Sequence, residues 1–342
     1  MSVDAARAVI ERGLWDGVYP VATVEVGDSG GATWQEAFGT SIDTLFDLAS
    51  LTKVIATTTA VMRAVGEGTL RLDRRVAELF DEWRGTDRES VTVRDLLEHA
   101  SGLPARLVDQ PPQGRREFEH EICTIALEYA PRSRSIYSDL GFILLGFVVE
   151  SGPGQTGVRL GSDWGQTGVR LGSDLNFNPP ADLRARIAPT TPMDEDVRRG
   201  RTLVGEVHDN YAAALDGVAG HAGLFGTAAA VGVFARTVLN ARRGDTHQPF
   251  PFSPELVAQF TTKTTVPGSS RALGWDTMLP TSSCGTKMSP SAFGHVGFTG
   301  TSLWIDPDRD RYFVLLTNRV HGAGTLEQIR DVRRAFHDAY LG

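Results

Sequence analysis

Residues 47–62 read DLASLTKVIATTTAVM, and the organisation of the whole chain turns on how that run is read. From Ser50 to about Val65 the apolar positions recur at helical spacing, and the run closes at Gly66-Glu67-Gly68, a glycine stop signal. Ser50 opens the helix and Lys53 lies three residues on, so both leave one face with Cβ atoms roughly 5–6 Å apart. A lysine so placed can take the serine proton, while the helix N-terminus favours developing negative charge. The tetrapeptide by itself equally fits an N-cap serine followed by a solvated lysine. Segments further along the chain have to decide between the two.

Working outward, MSVDAARAVIERGLWDG reads as an amphipathic helix, followed by two alternating runs, YPVATVEVGD and GATWQEAFG, that meet at Ser29-Gly30 as a hairpin. Short helices fill residues 73–100, among them VTVRDLLEHA, which stops at Ser101-Gly102-Leu103-Pro104. A strongly apolar helix, DLGFILLGFVVE, is expected from about Asp139 to Glu150. Near the C-terminus the strands TSLWID and RYFVLLTN are joined by the turn Pro307-Asp308-Arg309-Asp310, and TLEQIRDVRRAFHDAYL closes the chain as a helix. Strands at both ends with helices between them predict an α+β architecture: one antiparallel sheet built from both termini, flanked by helices, with a mostly helical region inserted. The expected division assigns residues 1–49 and 266–342 to the sheet region and 50–265 to the helical region. The two form one continuous unit with the active site at their junction. One segment fits no element: Gly154–Asp163 reads GQTGVRLGSD and Gly165–Asp174 repeats it letter for letter around Trp164. It lacks the G-x-x-x-x-G-K-[ST] phosphate loop, two copies are too few for a solenoid, and residues 154–174 are expected to be loop-like and poorly ordered, without chemistry.

Composition removes whole classes of function. The 342 residues hold 34 Lys+Arg against 42 Asp+Glu, a net charge of −8, with 41% hydrophobic residues, which describes an ordinary globular chain of one large or two smaller domains. Without a basic block, electrostatic binding to nucleic acid or to a membrane surface is not expected. No apolar stretch approaches a membrane span, and the charged N-terminus is no signal peptide, so a cytoplasmic location is expected. Cys123 and Cys284 form no C-x-x-C pair and read as structural thiols. The eight histidines (His99, His120, His208, His221, His247, His295, His321 and His337) show neither H-x-H nor H-E-x-x-H, and no metal site is expected. A G-x-S-x-G nucleophile elbow is absent too.

Two further segments change the reading of Ser50 and Lys53. Tyr137-Ser138-Asp139 stands just before the apolar helix, and His295-Val296-Gly297 leads into Phe298-Thr299-Gly300 and the C-terminal strand pair. The order Ser-x-x-Lys, Tyr-x-Asn/Asp, Lys/His-x-Gly resembles the class C β-lactamase family, which includes family VIII carboxylesterases, D-aminopeptidases, DD-peptidases and muropeptide amidases. LLEHASGLP and VAGHAGLFGT match it as well. The resemblance runs from the first hairpin to the closing helix and fails only across the repeat. It implies a β-lactamase/transpeptidase-like fold in which Ser50 forms an acyl-enzyme. Lys53 and Tyr137 would share the general-base role, with Tyr137 returning the proton to the leaving group. The backbone N–H groups of Ser50 and Phe298 would form the oxyanion hole. Gly297 would let substrate approach the strand closely.

Departures from the family pattern carry information. β-Lactamases usually have Lys-Thr-Gly in the third motif, where cation and hydroxyl hold the substrate carboxylate; here His295 is expected to titrate near neutrality and Val296 has no hydroxyl. Asp139 replaces the usual Asn and puts an anion within reach of Lys53. That would keep the lysine charged and leave proton transfer to Tyr137, unless Asp139 merely caps the following helix. GEVHDNYAAALDGVAGHAGLFGT resembles serine hydrolases that cut the amide between N-acetylmuramic acid and L-Ala, which would bring His208 and Asp209 to the cleft; a hydrogen-bonded pair within a loop explains them equally well. His221, between small residues, reads as a satisfied core histidine. With Asp139, His295, Gly297, His208 and Asp209 as substrate-binding candidates, the expected function is a cofactor-independent serine hydrolase acting on a small ester or amide. A carboxylesterase comes first, because the usual carboxylate anchor is missing. A D-amino-acid or muropeptide amidase or peptidase is the alternative. A weak β-lactamase or an idle binder of peptidoglycan fragments comes last, since a binder needs none of Ser50, Lys53 and Tyr137.

Overall fold

Ser2 accepts the Ala5 N–H and so starts α1 (Val3–Trp15), which leads to the hairpin of β1 (Ala22–Asp28) and β2 (Gly31–Phe38), paired antiparallel with Val24 opposite Glu36. The structure is a computed structural model and describes residues 2–107, 111–151, 174–244 and 252–342. After the hairpin come β3 (Phe46–Asp47), a π-helical turn (Lys53–Thr58) that runs directly into α2 (Thr59–Gly66), α3 (Val93–Leu97), α4 (Gly114–Thr124) and α5 (Asp139–Ser151). Beyond the repeat, of which residues 154–173 lie outside the described residues, follow β4 (Leu175–Phe177), α6 (Asn210–Ala214), β5 (Leu224–Gly226), α7 (Ala228–Arg242) and α8 (Pro254–Thr261). The chain returns through β6 (Asp276–Thr277), β7 (Phe293–Val296), β8 (Ser302–Asp306) and β9 (Arg311–Thr317) to α9 (Leu326–Leu341), which opens with a Thr325/Gln328 capping box.

Both termini build the main sheet, as expected: its order is β2-β1-β9-β8-β7-β6, with Val24 opposite Leu315 at the join. The central strands are buried along nearly their whole length because helices cover both faces. The two-residue period sorts their side chains. Val24, Val26, Trp304, Phe313 and Leu315 pack under α1 and α9 with Ile10, Ile329, Phe336 and Tyr340. Leu303, Ile305, Tyr312, Val314 and Leu316 face the other way, into the larger core beneath α7. That core continues through α2 and α5, the latter buried from Leu140 to Val149, as its lack of a polar face requires. A small second sheet, β3-β5-β4, joins Phe46–Asp47 to two strands of the middle region, and β3 ends at Asp47, three residues before Ser50. No helix among the described residues is long and apolar enough to cross a membrane. Cys123 and Cys284 are buried free thiols, and burial pushes both up to about 12.

Candidate active site

Ser50 is delivered by a turn that the rest of the molecule holds at several points. Asp47 Oδ1 accepts the Ala49 N–H at 2.8 Å, and Ala49 takes a positive φ of 47°, a left-handed conformation unfavourable for a residue with a side chain. The Asp47 carbonyl accepts the Thr299 hydroxyl at 2.7 Å and the Leu48 carbonyl accepts the Thr301 hydroxyl at 3.0 Å, which ties the turn to the far end of the chain. The helix that follows begins as a π-turn. Thr59 Oγ1 donates to Val54 O at 3.0 Å and Thr57 Oγ1 donates to Gly220 O at 2.6 Å, so side-chain hydroxyls take up carbonyls around the widened turn.

Lys53 is completely buried, yet its ammonium is fully engaged: Nζ donates to Ser50 Oγ at 3.1 Å, Asp139 Oδ1 at 2.8 Å and His221 O at 3.1 Å. Burial opposes the charge, but Asp139 and Tyr137 outweigh it and hold the lysine above its ordinary value. Conversely, burial would raise the Asp139 carboxyl, and Lys53, His221 and Arg106 prevail to hold it below the ordinary range. Asp139 is not the cap of α5. Ser138 Oγ accepts the Gly141 N–H at 3.4 Å instead, leaving the Asp139 carboxylate to the ion network.

That network is larger than the sequence suggested. Arg106 Nη1 lies 3.0 Å from both Asp139 Oδ2 and Asp209 Oδ2, Nη2 donates to Asn210 Oδ1 at 2.7 Å, and the guanidinium sits 4.0 Å from the centre of the Tyr211 ring. His221 Nε2 is 2.8 Å from Asp209 Oδ1, and Asp209 also caps α6 through Ala212 N. Burial disfavours the Asp209 charge, but His221 and Arg106 hold its carboxyl well below the usual range. His221 is therefore more than the core histidine expected: its carbonyl serves Lys53 and its ring serves Asp209. The backbone comes this close because Gly220 precedes it; a Cβ there would run into the Phe142 carbonyl. Arg106 went unnoticed in the sequence, being one arginine among many in a loop, and only convergence marks it.

Tyr137 stands beside Lys53, whose Nζ is 4.8 Å from the ring centre, with Arg271 at 5.0 Å and the rings of His99 and His295 at 4.7 and 5.8 Å. His295 does not titrate near neutrality as the sequence suggested. Burial, with Arg271 and Lys53 nearby, pushes it well below its ordinary value, and its Nδ1 is engaged with Val296 O at 2.9 Å. It is a neutral, buried ring behind Tyr137 rather than a cleft residue.

The two turns that carry the expected oxyanion donors are the ones tied together through Thr299 and Thr301. Gly297 is required there by the protein's own packing: a Cβ would strike Thr301 Oγ1 and come within 2.6 Å of the Leu48 carbonyl. Among the described residues neither the Ser50 nor the Phe298 N–H has a hydrogen-bond partner. Phe298 is 43% exposed, with its ring stacked at 5.7 Å on His208. His208 is anchored by its N–H to Asp47 Oδ2 at 2.6 Å and by Nε2 at 3.0 Å from Thr191 O; burial lowers its pKa.

These groups line a cleft of about 680 Å³ that contains Ser50, Tyr137, Asp139, His208, Asp209 and Phe298 of the expected residues, and Arg106 and His221 besides. Lys53 lies under its floor, and His295 and Gly297 lie behind its wall. Asp139, Asp209 and His221 bring ligand atoms within 4.8 Å of one another, the spacing of a metal site. Both carboxylates already face Arg106, and Asp139 faces Lys53 as well, so their charge is balanced by the protein's own cations.

The chain is similar to known proteins along most of its length. A family model described as Beta-lactamase matches residues 6–337. The chain is 33% identical over 311 residues to a putative D-alanyl-D-alanine carboxypeptidase of Escherichia coli (strain K12), covering 81% of this chain and 70% of that one. It is 30% identical over 306 residues to an N-acetylmuramyl-L-alanine amidase of Bacillus subtilis (strain 168), covering 81% and 68%. A class C beta lactamase from Rhodobacter sphaeroides has a similar structure, with a TM-score of 0.74 at 20% identity over 98% of each chain.

Proposed function

The chain belongs to the beta-lactamase family, whose members are serine hydrolases, and from that premise we propose that it hydrolyses an amide of the muramyl–alanine kind through an acyl-enzyme on Ser50. The observation that carries the choice of substrate is the convergence of His208, Asp209 and His221 on the cleft beside Ser50. They come from the segment that resembles the muropeptide amidases. A cleft lined by both carboxylates and a guanidinium also suits a substrate rich in donors and acceptors.

In the mechanism, Ser50 Oγ attacks the carbonyl carbon while the N–H groups of Ser50 and Phe298 receive the oxyanion. Lys53 has no free lone pair, since its three N–H bonds go to Ser50, Asp139 and His221 O. It holds Oγ in place and contributes positive charge. Tyr137, with Lys53 and Arg271 beside its ring, relays the serine proton to the departing amine. Water then repeats the cycle on the acyl-enzyme. Hydrolysis of carboxylic esters is the second reading. It is favoured by the buried His295, whose pKa lies well below its ordinary value, so that the third motif offers no charged side chain of its own to hold a carboxylate.

The test compares wild type with Ser50→Ala on N-acetylmuramyl-L-alanine, a D-alanyl-D-alanine peptide and p-nitrophenyl butyrate. Release of L-Ala by wild type only supports the proposal. Cleavage of the butyrate ester alone supports the second reading, and equal rates in both proteins overturn the mechanism.

A further inference from the structure

The carbonyl side of the oxyanion turn is gripped by two guanidiniums that make no ion pair among the described residues. Arg333, on the inner face of α9, donates from Nη2 to Gly297 O and to Thr301 O, both at 2.8 Å. Arg319 donates to the next carbonyl, Phe298 O, from Nη2 at 2.6 Å and from Nε at 3.2 Å. Arg333 is 5% exposed, and among the described residues its Nε has no partner and no carboxylate pairs with it. Burial, with Arg319 nearby, pushes it down to about 9, so it remains a cation at neutral pH. A buried cation without a counter-ion weakens a fold unless its hydrogen bonds serve some end, and an apolar side chain of similar volume is often the more stabilising choice.

We propose that Arg333 is a positioning residue for the acyl-transfer step: by holding the Gly297 carbonyl it aims and polarises the peptide whose N–H, on Phe298, receives the oxyanion. Gly297 C=O and Phe298 N–H belong to one trans peptide and point in opposite directions. A cation on the oxygen and a developing anion on the hydrogen therefore act in line and favour the same polarised form of the amide. In a low-dielectric interior such chains of hydrogen bonds strengthen one another. The turn has little freedom to relax, because Gly297 N also donates to Thr301 O at 2.8 Å and Thr317 Oγ1 donates to Gly300 O at 3.2 Å. A helix at the far end of the chain thereby reaches the reacting atoms through a single peptide plane.

The inference rests on the acyl-enzyme reading above, and the experiment separates the two. Wild type, Ser50→Ala, Arg333→Met and Arg333→Lys are compared for their rate of labelling by a fluorophosphonate and their affinity for a phenylboronic acid, both of which place a tetrahedral oxygen in the oxyanion site. Near-ultraviolet circular dichroism reports folding. Folded Arg333→Met should label about tenfold more slowly and lose boronate affinity in parallel, a fraction of what deleting a whole oxyanion donor costs. Arg333→Lys, which keeps a donor and a charge, should recover part of both. Should Arg333→Met not fold, a parallel partial loss in Arg333→Lys carries the result. Wild-type labelling in a folded variant, or slower labelling without loss of boronate affinity, overturns the role of Arg333. Labelling of wild type that does not depend on Ser50 overturns the acyl-enzyme reading itself.

Discussion

An ammonium that donates to Ser50 Oγ, Asp139 Oδ1 and His221 O leaves proton transfer to another group, and Tyr137 is the side chain next to it. Tyr137→Phe should therefore lower the rate of Ser50 acylation by about 10²–10⁴-fold with the fold intact, read as the pre-steady-state burst with p-nitrophenyl butyrate; retention of most of the rate would return the role to Lys53. Asp47 makes a separate prediction. Burial raises its carboxyl to about 6, against the hydrogen bonds from His208 N and Ala49 N, with Asp209 adding to the rise and Arg198 opposing it. Between about pH 4 and pH 6 the folded protein keeps a proton that the unfolded chain has released, so stability falls as pH rises through that window. The contribution is about 3 kcal/mol. Asp47→Asn should flatten that part of the pH profile in urea unfolding, and an unchanged slope would assign it to other groups.

At the scale of elements, the site is a crossing of two turns. The Ser50 turn leaves β3 with Ala49 at positive φ, and the Gly297–Thr301 turn joins β7 to β8 and supplies both threonine hydroxyls that hold it. Gly297→Ala puts a methyl group against the Leu48 carbonyl and Thr301 Oγ1, so one turn must move off the other. The expected cost is about 1–3 kcal/mol in urea unfolding, with a larger fractional loss of acylation, since Ser50 and Phe298 would no longer be in register. Loss of stability with acylation unchanged would show that the register tolerates the shift. Much at this scale was legible in the sequence. The Ser29-Gly30 hairpin, the apolar helix from Asp139 and the strands flanking Pro307–Asp310 all lie where their two-residue and helical periods indicate. The π-turn at Lys53–Thr58 was not, because the threonines that support it have the same spacing in an ordinary helix.

Across the whole molecule, β1 beside β9 and α1 against α9 make the two ends of the chain one layer. Deleting residues 326–342 uncovers Val24, Trp34, Phe313 and Leu315 and removes Arg333 from the oxyanion turn. The truncated chain should lose its cooperative melting transition, followed by far-ultraviolet circular dichroism; a preserved transition would show that the sheet folds without that layer. The sequence by itself determined the α+β architecture and the three ordered motifs, with Ser50 and Lys53 in the first, because periodicity and short spacings are local properties of a chain. Only the tertiary structure decided that Arg106 bridges Asp139 and Asp209, that His221 serves Lys53 through its carbonyl, that burial lowers His295 well below its ordinary value, and that Gly297 makes room for Leu48. Each of these depends on groups tens to hundreds of residues apart. Burial, charge balance and close backbone approach arise only when such groups are brought together, and no local pattern encodes them.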